Sequence, residues 1–66
     1  MDLNSSRIKS VIYNESTEVL TIDFTKGGKY KYFKVPQIIY EGIIKDKSPG
    51  TYFDNHIKPI YRFKKD

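Results

Sequence analysis

Lys29-Tyr30-Lys31-Tyr32-Phe33-Lys34 alternates cations with rings, and Lys58-Pro59-Ile60-Tyr61-Arg62-Phe63-Lys64-Lys65 mixes them again near the C-terminus. Lysine and arginine neutralise phosphates, and planar rings stack on unpaired bases, so the combination points to single-stranded RNA or another nucleic acid. An acidic protein groove would suit the C-terminal run equally well. On an extended strand, neighbouring side chains point to opposite faces, so either the tyrosines or the lysines of the first run turn inward. Burying an unpaired ammonium is far more costly than burying a tyrosine whose hydroxyl reaches the edge. Tyr30 and Tyr32 are therefore expected in the core. The candidate nucleic-acid-binding residues are Lys29, Lys31, Phe33, Lys34, Lys58 and Arg62. Val19 and Thr21 would share the face of Lys29 and Lys31, with Lys26 and Lys34 at its ends and Asp23 as an unfavourable charge within it.

No other group of residues promises chemistry. His56 is the single histidine; Asp54, two positions away on a helix, would point elsewhere, and Tyr52 is the better-placed neighbour. No second convergent set of titratable groups accompanies it, so no catalytic residue is expected. Ser5, Ser6 and Ser10 have no visible base and read as strand-start and turn chemistry. Gly27-Gly28 is followed neither by Lys-Ser/Thr nor by a helix start, which makes it a hairpin turn rather than a phosphate loop. With no cysteine and one histidine, a disulfide is excluded and a four-ligand structural zinc site nearly so. No metal or cofactor is expected.

The elements that must position these residues come from 66 residues with a formal net charge of +4. One domain is the expectation. A chain of this size buries only about 60% of its unfolded surface and draws roughly 3–5 kcal/mol from its core. That argues against an enzyme with a deep pocket and makes homo-oligomerisation a natural supplement. Ten aromatic rings can offset the small core, and Tyr13, Phe24, Tyr30, Tyr32, Tyr40 and Phe53 are expected to fill it. Charge is unevenly placed: residues 1–25 carry a balance of −2 and residues 26–66 one of +6. Such a patch is the footprint of a nucleic-acid or acidic-partner surface, or else a solvated face that keeps a small protein in solution. The absence of alanine beside nine Ile and ten Lys indicates an AT-rich genome, such as a low-GC bacterium or its phage. No apolar run spans a bilayer and no signal peptide is seen, so the expected location is cytoplasmic, without a membrane partner.

Ile8 to Tyr13 reads as a strand, Asn14–Thr17 as a hairpin loop, Glu18 to Phe24 as the cleanest strand, and Lys29 to Phe33 as a third after the Thr25–Gly28 turn. In the second strand Leu20, Ile22 and Phe24 share one face. Val35-Pro36 then opens a helix with proline at its first position, and Ile39, Tyr40, Ile43 and Ile44 form its apolar side. Gly42 inside that helix means either that it is short or that something packs closely there. Ser48-Pro49 caps and starts a second helix running to about Ile57. Pro59 ends it, and Ile60–Phe63 alternates like a short C-terminal strand. The result is an α+β fold: a three-stranded antiparallel meander, then two short helices packed on one face. Residues 1–5 and 63–66 read as frayed ends of the single domain 1–66.

Ser5-Ser6, Ile8, Tyr13, Gly28, Tyr30-Lys31-Tyr32, Val35-Pro36, Ser48, Gly50, Tyr52-Phe53 and Ile57-Lys58, in this order, resemble the KTSC domain over residues 5–61. The Tyr-x-Tyr, the Val-Pro helix start and Ser-x-Gly-x-Tyr-Phe carry most of the likeness. Asp54 and Asp46 depart from it, standing where Asn and a small residue are common. The resemblance implies a module known from the C-terminus of some lysyl-tRNA synthetases and as short bacterial or phage proteins, with RNA suggested by the synthetase context. Two functions follow as expectations. One is a non-enzymatic nucleic-acid-binding module. The other is a phage or mobile-element factor that docks onto a host protein, through an edge strand open to pairing.

Overall fold

The computed structural model describes residues 1–3 and 5–66. Its sheet is organised around β2 (Val19–Phe24), whose alternation sends Leu20 and Ile22 to full burial and leaves Val19, Thr21 and Asp23 on the other side. β1 (Ile8–Asn14) and β3 (Gly28–Tyr32) flank it antiparallel. Asn14 Oδ1 accepts the N–H groups of Ser16 and Thr17 at 3.0 and 3.3 Å, shaping the first turn. Glu18 completes that turn with φ at 56°. Gly27 and Gly28 make the second turn at φ 118° and 84°, a backbone region glycine enters without steric cost.

β1 contains an odd spacing. Ile8 and Val11 are both buried, yet residues three apart on a regular strand face opposite ways. The register shifts between Ile8 and Ser10, where two residues of β1 span one of β2. This bulge lets both apolar side chains reach the same core.

Two helices, α1 (Gln37–Lys45) and α2 (Pro49–His56), cover the face that holds Leu20, Ile22 and Tyr32. Pro36 sits one position before its expected place, as the N-cap of α1, and its carbonyl accepts from Ile39 N–H at 3.0 Å. Pro49 is at the start of α2 as expected, but the Ser48 side chain makes no capping bond. Gly42 is explained by close packing: a Cβ there would overlap the Tyr52 ring.

The core is more aliphatic than expected. Ile8, Val11, Leu20, Ile22, Val35, Ile43 and Ile57 are its fully buried centre, and of the six predicted aromatics only Tyr32 and Phe53 join them. Tyr13, Phe24, Tyr30 and Tyr40 are half-buried around it. Their amphipathic or large rings seal the margin, where a hydroxyl can still find a partner. Tyr13, for example, stacks on Tyr40 at 4.8 Å and donates to the Val35 carbonyl at 2.6 Å.

The C-terminal strand exists but lies later than its alternation suggested. After Pro59 the chain keeps turning, with Ile60 and Tyr61 N–H groups on the Ile57 carbonyl at 3.2 and 3.0 Å. β4 is Phe63–Lys65 and pairs antiparallel with β3, giving a sheet ordered β1-β2-β3-β4. The expected fraying of 63–66 is corrected by this pairing, which extends to Asp66 N–H on the Lys29 carbonyl at 2.8 Å. At the other end Leu3 N–H binds the Lys9 carbonyl and Val11 N–H the Met1 carbonyl, at 3.0 and 2.8 Å. Met1 to Leu3 thus lie along the edge of β1; Asn4, also within the expected leader, is outside the described residues. No helix among them is long and apolar enough to cross a membrane.

Ile22→Ala should lower stability by about 2–5 kcal/mol, close to the whole margin of roughly 3–5 kcal/mol that a core this small supplies, so urea titration should find it largely unfolded in buffer. Gly42→Ala should stabilise by about 1 kcal/mol in a Tyr52→Ala background and give a smaller gain or a loss beside the intact Tyr52 ring, a non-additivity measurable in the same titration.

Candidate nucleic-acid interface

The sheet face opposite the helices holds most of the predicted residues. In β3, Lys29 and Lys31 are exposed while Tyr30 and Tyr32 turn toward the helices, Tyr32 into the buried core, as the cost of an unpaired buried ammonium requires. Burial raises the Tyr32 hydroxyl above its ordinary pKa, with a further contribution from Tyr30. The pairing registers place Ile12, Thr21, Lys31 and Lys64 in one row across all four strands. Asp23 lies opposite Lys29, which keeps the negative charge foreseen on this face. Lys31 also sits 3.8 Å from Asp66, each about half exposed, so that pair is weak and screened.

Phe33 is the hinge of the arrangement. It is half-buried, and its N–H binds the Arg62 carbonyl at 3.0 Å. On one side it borders a shallow depression of about 330 Å³ with Ile12, Asn14, Val19, Thr21 and Lys31. On the other it borders a larger cleft of about 640 Å³ with Lys34, Ile60, Tyr61 and Arg62. No acidic residue lines either one. Lys31, Phe33, Lys34 and Arg62 are thereby brought together, with Lys29 on the same sheet face. Lys34 reaches the cleft from a left-handed backbone, φ 57°. The next N–H, that of buried Val35, anchors on the Glu18 carbonyl at 2.9 Å.

Lys58 does not belong to this surface, contrary to the expectation. It follows α2 and borders a groove on the helical side, beside Arg7, Lys26 and Phe63. Lys26, expected at an end of the open face, lines that groove as well. Ile12 carries no sequence signal for this face, and Lys64, Ile60 and Tyr61 stand out in the sequence only as part of the C-terminal run of cations and rings, without a place on it. Only the cross-strand register with β4 reveals Lys64, and no local pattern marks where β4 begins.

The polar and titratable side chains around α2 are engaged structurally. Arg7 donates two hydrogen bonds to Asp54, at 2.8 and 2.9 Å, in bidentate geometry. Its stem passes over Gly50, where a Cβ would come within 3.0 Å of it. Asp46 Oδ1 accepts the Ser48 N–H at 2.8 Å and holds the turn between the helices. His56 packs its ring on Tyr52 at 4.6 Å. Burial raises the Tyr52 hydroxyl, with Tyr61 and Asp46 adding to it. Among the described residues no cluster of three His, Cys, Asp or Glu groups is placed to hold a metal.

Residues 4–61 match the KTSC domain family. The chain belongs to that family. Its fold superposes on the crystal structure of a KTSC domain protein from Yersinia pestis with a TM-score of 0.97 and 32% identity, covering all of this chain and 93% of that one. A lysine–tRNA ligase from Nostoc punctiforme is 40% identical over 58 residues, which are 88% of this chain and 10% of the ligase. A protein of Stutzerimonas stutzeri is 31% identical over 62 residues, covering 92% of this chain and 87% of that protein. This KTSC domain therefore spans about a tenth of the ligases it resembles and most of the shorter relative. The departures at Asp54 and Asp46 have local uses in it: one clasps Arg7, and the other shapes the inter-helix turn.

The Arg7 hydrogen bonds hold the Asp54 carboxyl below its ordinary value of 3.8. A depressed carboxylate pKa contributes stability that is present above the unfolded value and is lost as pH falls through the folded one. The Arg7–Asp54 clasp should therefore persist at pH 4 and open only below it. NMR titration of the Asp54 side chain should give a midpoint under 3.8, and Arg7→Leu should return it toward the ordinary range.

Proposed function

We propose that this KTSC domain is a small, non-enzymatic RNA-binding module that takes single-stranded RNA across its open sheet face. The carrying observation is Phe33 seated between two depressions free of acidic lining, with Lys31 in one and Lys34 and Arg62 in the other. A ring flanked by cations is the arrangement on which a base stacks while its phosphates are neutralised alongside. Lys31 and Lys64 directly opposite each other add support. Like charges across a strand pair are unfavourable on their own; Asp66, 3.8 Å from Lys31, offsets this only weakly, and a phosphate between the two lysines would relieve it further. Ile12, 60% exposed, offers apolar surface at the far end of the same row. The ligase relatives, named for joining lysine to tRNA, carry a similar segment as part of an RNA-handling protein. Docking by strand addition has less to build on. β4 covers β3, Met1–Leu3 run along β1, and the outer strand is three residues with two lysines, a composition that discourages pairing.

A labelled single-stranded RNA should bind at low ionic strength and weaken steeply with salt, because each neutralised phosphate releases counterions. Lys31→Glu combined with Arg62→Glu should reduce affinity at least about tenfold and flatten the salt slope by about one to two. Lys47→Glu, exposed between the helices, should act only through net charge. Absence of low-salt binding, or a loss from Lys47→Glu equal, per charge changed, to that of the combined Lys31→Glu and Arg62→Glu variant, would remove the reading.

A further inference from the structure

The helical side of the sheet carries a second feature that the open face does not use. Five aromatic rings close a cycle there: Phe24 on Tyr30 at 5.6 Å, Tyr30 on Phe63 at 5.6 Å, Phe63 on Tyr32 at 5.5 Å, Tyr32 on Phe53 at 5.4 Å, and Phe53 on Phe24 at 5.2 Å. Every ring therefore touches two others, at separations that leave no room for a guest between them. The cycle is a floor rather than a cage. All five rings line a groove of about 340 Å³, at the small end of the range for small-molecule sites. Phe63 remains 57% exposed above its neighbours.

The rim decides what chemistry fits. Lys26, Lys58 and Arg7 border the groove, and no acidic residue lines it. Asp54 stands close by and feels the Lys58 charge as well as that of Arg7, but both its oxygens are bonded to Arg7, so Lys26 and Lys58 make no ion pair of their own among the described residues. Aromatic surfaces often receive cations, yet these lysines would repel one. A purely apolar guest would leave Lys26 without a counter-charge and Lys58 with only the Asp54 carboxylate that Arg7 already holds. The complementary ligand has a flat ring to lie on Phe63 and an anion to meet the lysines.

We infer that this groove is a nucleotide site, binding one base against the exposed Phe63 ring with its phosphate between Lys26 and Lys58. A peptide bearing an aromatic side chain and an acid fits less well. It would bring backbone N–H and C=O groups that need partners, and the sheet edge beside the groove is only the three-residue β4, Phe63–Lys65, whose two lysines discourage pairing. The site lies across the sheet from Phe33 and stands independently of RNA binding on the open face.

The test is NMR titration of the whole domain with adenosine 5′-monophosphate, with adenosine, inorganic phosphate and an aromatic acidic peptide titrated separately. Saturable shifts of the Phe24, Tyr30 and Phe63 ring signals are expected for the nucleotide, with adenosine and phosphate each at least about tenfold weaker. Phe63→Ala and, at an exposed turn position, Lys58→Glu should each weaken the nucleotide about tenfold. Lys31→Glu, on the opposite face, should leave it unchanged. Should Phe63→Ala fail to fold, Lys58→Glu alone decides. Shifts confined to Ile12, Thr21 and Phe33, equal binding of adenosine or phosphate alone, preference for the peptide, or no shift at all would each overturn the assignment. Loss of RNA binding in Lys31→Glu with the groove shifts intact would separate the two surfaces.

Discussion

Two short helices can shield only one side of a four-stranded sheet, and almost everything else in this molecule answers to that limit. Ile43, Phe53 and Ile57 meet Ile8, Val11, Leu20, Ile22 and Tyr32 in a single apolar layer. Full burial is reserved for the aliphatic residues beneath the helices. Aromatic rings occupy the margin, where part of each ring can stay wet. The bulge after Ile8 serves the same limit by turning an out-of-phase residue inward. The other sheet face is left to polar, charged and a few apolar side chains, and that exposure makes it available to a ligand.

Much of the fold was legible in the residues, for identifiable reasons. Leu20 and Ile22 are separated by Thr21, and Tyr30 and Tyr32 by Lys31, so β2 and β3 could be oriented from period two. The inward turn of Tyr30 and Tyr32 followed from comparing the desolvation of a tyrosine with that of an ammonium. Gly42 announced a close approach, though not that Tyr52 makes it. Other features depend on contacts distant in sequence. β4 begins only where the turn after Pro59 releases the chain, which is why Lys64 went unseen as the cross-strand neighbour of Lys31. Arg7 and Asp54 are 47 positions apart, and nothing local predicts their clasp. Lys58 looked like part of one basic run with Arg62, but that same turn sends the two to different sides.

β3 is thus a boundary between two surfaces of different character. Lys31 belongs to an open, shallow face organised about Phe33, and Tyr30 and Tyr32 belong to the aromatic floor that ends at Phe63. β4 closes both, supplying Lys64 to one side and Phe63 to the other. The +6 balance of residues 26–66 is consequently divided between two places rather than gathered into one patch. Three residues of C-terminal strand complete both surfaces.

Lys34 bears on how such a domain can change over evolutionary time. A non-glycine residue in left-handed backbone is destabilised by about 1–2 kcal/mol, a large share of what a small core provides. Glycine would fit the same backbone freely, and the neighbouring Val35 anchor to Glu18 needs only main-chain atoms. Drift toward stability alone would therefore favour glycine at position 34, and every such step would also erase a positive charge from the cleft beside Phe33. Lineages that keep a cation here at the expense of stability would be those in which the cleft is used, while lineages that lose it would be free to become more stable.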